Sequence, residues 1–172
     1  MNIHLIVTCV SKKKTKSEPP SIIDSSIKQD IPENVFPQWQ SLILKSSLTP
    51  KRAIDLYLGP LWKSYLDSLK LLNSSDFKPH LWVLSAGYGF IGGNEKMKPY
   101  DITFQGGGTG VPSVLTKFSN DHGINKRKQS LQKWWDLLTK FKNSNPNSIT
   151  SLTNGAKKDD YFLIVLGKDY LD

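Results

Sequence analysis

Cysteine is nearly absent: Cys9 stands alone in 172 residues, so no disulfide can form within the chain and no cysteine-based zinc site is on offer. Histidine is as scarce. His4, His80 and His122 lie tens of residues apart in no ligand motif, so neither a metal nor another cofactor is expected. Long apolar runs are missing too, and nothing approaches the length of a membrane-spanning helix. The apolar stretch from Ile3 to Val10 is short and is followed by lysines instead of preceded by them, unlike a secretory signal. A cytoplasmic protein with no membrane association is the expectation.

Acidic residues are the minority, 15 against 23 lysines and arginines, for a formal net charge of +8. The positive charge is clustered in Lys12, Lys13, Lys14 and Lys16, in Lys126, Arg127 and Lys128, and in Lys157 and Lys158. Clusters of this kind between folded elements are the footprint of a polyanion binder, although solubility alone can also maintain them.

The chain is organised around Leu81 to Phe104. Leu81–Leu84 is a short apolar run after Pro79, the pattern of a buried parallel strand, and it stops at Ser85. Ser85, Ala86, Gly87, Tyr88 and Gly89 follow, small or aromatic residues that let backbone approach a ligand while Tyr88 offers a stacking face. Farther on, Pro99-Tyr100-Asp101 fixes the chain and with it the Asp101 carboxylate.

Asn2–Val10 reads as the first strand, and its exit through Thr8, Cys9, Ser11, Lys12, Lys13 and Lys14 reads equally as an anion-binding turn or a solvated loop. Residues 17–37, with Pro19, Pro20, Pro32 and Pro37, read as a Pro/Ser-rich excursion outside the core, tacked down by Val35, Phe36 and Trp39, with a short helix over Gln38–Lys45. Thr49-Pro50 carries the signature of a helix start, and Gly59-Pro60 that of a break before a second helix with Leu61, Tyr65, Leu69 and Leu72 on one face. Tyr57 and Trp62 are core anchors by default.

Gln105–Gly110 is a glycine-rich loop without the lysine-serine ending of a nucleotide cradle, so it indicates phosphate binding only weakly. A short helix over Val111–Phe118 and a polar connector at Ser119–Gly123 follow. Leu131, Trp134, Trp135, Leu138 and Phe141 form one apolar stripe over Gln129–Phe141, with Lys126, Arg127 and Lys128 at its entry. Asn143–Lys158 reads as loop, and Asp160–Leu166 as a third buried strand. The chain stops soon after the turn at Gly167–Tyr170, which leads one to expect a partner chain or a second copy completing that side.

Alternating strands and helices predict a single α/β domain over residues 1–172, with a small, mostly parallel or mixed sheet flanked by helices. If the three strands run parallel, Thr8–Lys14, Ser85–Gly89 and Gly167–Tyr170 emerge at one edge.

The run Ser85-Ala86-Gly87-Tyr88-Gly89-Phe90-Ile91, followed by Pro99-Tyr100-Asp101-Ile102-Thr103, resembles the signature of the YaaA-like superfamily, which includes a peroxide-stress DNA-binding protein and domains of mobile and defence-associated genes. The first strand's exit and the block Asp55–Trp62 support the likeness. The glycine-rich loop after Thr103 and the brief C-terminus depart from it. The resemblance implies DNA binding. A layout similar to DNA glycosylases further suggests removal of a modified base, as in defence against phage DNA.

Such a reaction builds positive charge on the sugar ring, and Asp101 is the candidate that stabilises it or orients the attacking water. Thr8, Cys9, Ser11, Ser85, Ala86, Gly87, Tyr88, Gly89, Tyr100 and Thr103 are the candidate substrate contacts, with Tyr88 or Tyr100 stacking on a flipped nucleotide. Lys12, Lys13, Lys14, Lys126, Arg127 and Lys128 are the candidate phosphate contacts. The alternative is a non-catalytic DNA-binding module in which Asp101 fixes a turn. A nucleotide hydrolase lacks magnesium-binding carboxylates near Gly106–Gly110, and thiol chemistry at Cys9 lacks a histidine neighbour in the sequence.

Overall fold

The computed structural model describes residues 1–15, 17–21, 30–104, 111, 123–141, 145–167 and 170, with backbone alone for 123–127. Four strands form the central sheet in the order β4-β3-β1-β6. They are β1 (Asn2–Thr8), β3 (Lys78–Ser85), β4 (Gly89–Gly92) and β6 (Tyr161–Val165). A two-stranded ladder joins β2 (Lys51–Arg52) to β5 (Lys96–Met97). The class is α/β with a mixed sheet, as the alternation of strand and helix patterns predicts.

β1 is central because Ile3, Leu5, Ile6 and Val7 bury side chains on both of its faces. It runs parallel to β3, with Ile6 opposite Trp82, and parallel to β6, with Ile6 opposite Ile164. β4 turns back antiparallel on β3. The parallel triplet therefore sends the ends of β1, β3 and β6 to one edge of the sheet, the convergence that places the site.

β6 departs from expectation. Among the described residues it is an edge strand paired only with β1, and Tyr161, Leu163, Ile164 and Val165 are each roughly half exposed (45–53%), not buried on both faces.

Among the described residues five helices flank the sheet. α1 spans Pro32–Lys45, six residues longer at its start than the sequence suggests. Pro32 occupies the first turn, where its missing N–H costs nothing, and Pro37 lies inside the helix. Val35, Phe36, Trp39 and Ile43 are core residues, so this part of the proline-rich stretch is not an excursion; residues 22–29 lie outside the described residues. Thr49-Pro50 does not open a helix. Lys51–Arg52 is strand, and α2 (Ala53–Leu56) starts from Arg52 without a side-chain cap.

Gly59 takes φ +114, a conformation that L side chains rarely adopt, and this gives the break before α3 (Pro60–Asn73). The buried face of α3 is Trp62 and Tyr65 with Leu66 and Leu69 beside them, while Leu61, expected on that face, is 51% exposed and its neighbour Trp62 is buried instead.

α4 (Gly123–Phe141) packs on α1 through an edge-to-face contact of Trp134 with Phe36 at 5.3 Å. Its start at Gly123 puts residues 126–128 inside its first turns. Phe141, at the end of the expected stripe, is 55% exposed. α5 (Ile149–Asn154) lies within the stretch read as loop. Ser148 caps it by accepting from Ser151 N at 3.0 Å, and Ser151 Oγ answers from the third helical position in a reciprocal box. No described helix is long and apolar enough to cross a membrane. The glycine-rich loop, most of the expected helix 111–118 and residues 119–122 lie outside the described residues.

Candidate active site

β1 leaves the sheet at Thr8, and Cys9 N still donates to Leu84 O of β3 at 2.9 Å. The chain then lies antiparallel against the segment after α2: Lys14 N donates to Leu56 O at 2.7 Å and Leu58 N to Lys12 O at 2.9 Å. In this extended backbone successive side chains alternate in direction. Lys12 and Lys14 are exposed, and Lys13 between them turns inward to 9% exposure.

The Lys13 ammonium donates to Ser11 O at 3.0 Å and stands 4.2 Å from the centroid of the Tyr100 ring. Burial lowers its pKa, while Cys9 and Asp101 nearby act in the opposite sense. Lys13 is thus a buried cation and not the surface phosphate contact its place in a lysine run suggests.

Behind it lies a chain of hydroxyls. Tyr100 Oη is 2.6 Å from Ser85 Oγ and 2.8 Å from Tyr57 Oη. Ser85 Oγ also accepts from Gly87 N and Tyr88 N, capping the turn that ends β3. Burial pushes the pKa of Tyr57 and of Tyr100 well up, so both phenols stay protonated near neutral pH.

Several expectations are corrected by this packing. Tyr100 is wholly buried, with Lys13 over one face and Trp39 and Tyr88 against its edges, so it cannot stack on a nucleotide. Ser85, Ala86 and Gly87 are internal as well: Ala86 O accepts from Trp134 Nε1 at 2.9 Å and Gly87 O from Trp39 Nε1 at 3.1 Å. A Cβ on Gly87 would stand 2.8 Å from Cδ2 of Tyr100 and 2.9 Å from Cγ2 of Ile102, so the glycine makes room for that tyrosine and not for a ligand. Gly89 is buried at the start of β4, near α4. The half-buried Tyr88 exchanges hydrogen bonds with Lys98 N and O at 3.2 Å, which lock its hydroxyl.

The residues left at the edge are fewer. Asp101 is half-buried, its N–H donating to Pro20 O at 2.8 Å within a short parallel bridge to Ser21. Cys9 is half-buried, with Sγ 3.3 Å from Tyr170 Oη. Thr8 is buried beside Tyr65, Ser11 is exposed, and Thr103 is half-buried with its carbonyl accepting from Val111 N. Asp101, Lys13, Cys9 and Tyr170 thus share one neighbourhood drawn from three separate parts of the chain, the β1 exit, the Tyr100–Asp101 segment and the turn after β6. Tyr170 is the member the sequence did not single out, because a lone tyrosine after a strand exit carries no pattern. The side chains of Lys126 and Arg127 lie outside the described ones, and Lys128 is exposed.

The largest of the described cavities, about 750 Å³, lies elsewhere, beside Pro79, His80 and Leu81 in the first half of β3. The site is placed here by the convergence of strand ends, where open α/β sheets bind ligands. Among the described residues no group of three or more histidine, cysteine, aspartate or glutamate side chains could hold a metal ion.

Comparison with family models, with curated proteins and with solved structures finds no match. The YaaA-like resemblance therefore rests on the motif residues alone.

Proposed function

We propose that the protein acts on DNA as a glycosylase-like hydrolase, cleaving the N-glycosidic bond of a nucleobase, with a modified base in phage DNA as the fitting substrate. The observation that carries this reading is the position of Asp101. Its backbone is tied to the Pro20–Ser21 segment, it is close enough to Lys13 to act on that group's ionisation, and it stays partly open to solvent.

A carboxylate so held suits the charge that develops on the sugar as the base departs, or the water that attacks C1′; groups used in that way contribute on the order of 10²–10⁴-fold. Lys13 adds a nearby positive charge, itself held by Ser11 O and the Tyr100 ring and not in an ion pair with the carboxylate. The exposed Lys12 and Lys14 on either side, and Lys51, whose ammonium reaches Lys14 O at 2.7 Å, are positioned to take phosphates of the strand. Such a protein works in the cytoplasm. The half-exposed apolar edge at β6 supports the added presence of a second copy or a partner chain.

A second reading, a DNA-binding module without chemistry, is favoured by one observation: Ser85, Gly87, Tyr88 and Tyr100 are engaged with one another, which removes most of the expected substrate contacts. The two separate in one assay. Protein is incubated with canonical and modified DNAs, and the products are probed with alkali. Strand breaks at abasic sites support the hydrolase; none on any substrate, with DNA affinity intact, supports the module.

A further inference from the structure

A cavity of about 370 Å³ opens beside Tyr170, whose hydroxyl meets Cys9 Sγ at 3.3 Å. Three aromatic side chains line it: Phe104, Trp135 and Tyr170, in mutual tilted or edge-to-face contact at 5.1 to 6.4 Å between centroids. Leu84, Leu131, Ile149 and Leu166 complete its apolar lining. The polar lining is mixed, with the amide of Gln132, the carboxylate of Asp136, the hydroxyl of Thr150 and the ammonium of Lys128.

We infer that this cavity is a nucleotide pocket in which a base is held among Phe104, Trp135 and Tyr170 and its phosphate is met by Lys128. The naming of a nucleotide as occupant rests on the DNA-directed reading above. The volume is within the range of small-ligand pockets, about 300–1,000 Å³. Aromatic walls hold any base by its π-face, and an amide beside a carboxylate offers both donors and acceptors to its edge. A purely apolar ligand would leave those rim groups without purpose, and a phosphate alone would not need three rings. Tyr170 joins this pocket to the edge where Asp101 and Lys13 sit, through its contact with Cys9.

The test is calorimetric titration of the full chain with nucleoside 5′-monophosphates, with free bases, and with indole as an aromatic ring lacking a base's hydrogen-bonding edge. Nucleotides are expected to bind more tightly than bases, and indole least. Trp135→Ala weakens nucleotides and bases alike, roughly ten- to a hundredfold, the loss of one stacking wall. Lys128→Ala weakens nucleotides and leaves free bases unchanged. Because Trp135→Ala also removes packing, Thr150→Trp at an exposed position of the lining serves as the second variant: it obstructs the cavity without emptying the core and abolishes binding. Wild-type affinity in both folded variants, or indole binding as tightly as the bases, overturns the pocket. If nucleotides bind through Trp135 while no DNA ever loses a base, the hydrolase reading falls and the pocket stands. If bases are released with unchanged KM in both variants, the pocket falls and the hydrolase reading stands.

Discussion

The ammonium of Lys13 lies 4.2 Å from the centre of the Tyr100 ring, a buried cation resting on a buried aromatic face at the end of the sheet's central strand. The contact binds the β1 exit to the segment carrying Asp101, since Tyr100 and Asp101 are neighbours in the chain. Both sides of the candidate site are held by one interaction of a kind worth about 2 kcal/mol when desolvated.

Tyr100→Phe keeps that ring and removes its hydroxyl. Ser85 Oγ retains its two backbone donors, but Tyr57 Oη loses its 2.8 Å partner and keeps only the weaker company of Met97 Sδ at 3.9 Å and the Ser85 hydroxyl. The expected cost is about 1–3 kcal/mol for a buried hydroxyl deprived of its partner, read from urea denaturation. DNA affinity should not change, because the ring faces the interior; a large loss of affinity in a stable variant would restore the stacking role.

Gly87→Ala places a methyl against the same ring. With contacts of 2.8 to 2.9 Å to Tyr100 and Ile102, both buried, the variant should lose about 1–3 kcal/mol from overpacking. Unchanged stability would mean that the turn after β3 shifts freely.

Lys12→Ala with Lys14→Ala removes two exposed charges at the β1 exit and leaves the backbone bonds of that segment in place. If both meet phosphates, the dependence of log affinity for duplex DNA on log salt becomes shallower by about 1.8. An unchanged slope would place the DNA elsewhere.

His4 carries the pH dependence of stability. Its ring is stacked between His80 and Phe162, accepts from Trp82 Nε1 at 3.0 Å, and stands 3.7 Å from Asp160. Burial lowers its pKa below 6.5, His80 adds to the lowering, and Asp160 opposes it. The unfolded chain therefore takes up this proton first as pH falls. Stability is complete above the unfolded pKa and declines as pH drops from about 6.5 through the lower folded value, by at most about 1.4 kcal/mol per pH unit. Urea denaturation between pH 7.5 and 5.5 should show the decline, and His4→Phe should flatten it.

The layout of the fold was legible where one pattern dominates a segment. β1, β3 and β6 announce themselves as apolar runs, and their parallel course, with the shared edge it creates, follows from the elements between them. Burial was less legible. Nothing local distinguishes Lys13 from Lys12 and Lys14, because only the pairing of 12–14 with 56–58 decides which of three identical residues points inward. Ser85 and Tyr100 have the composition of a binding site, and the same hydroxyls serve an internal network equally well. The start of α1 was obscured by Pro32 and Pro37, and α5 by a cap built from two serines where a glutamate or glutamine is the usual signal.

The most direct test of the account is mass spectrometry of what is liberated from a panel of canonical and modified DNAs by the wild-type protein and by Asp101→Asn. The account predicts a free base released by the wild type and none by the variant, which binds the same DNA with equal affinity. Release at the same rate by Asp101→Asn, or no base released from any DNA by the wild type, would contradict it.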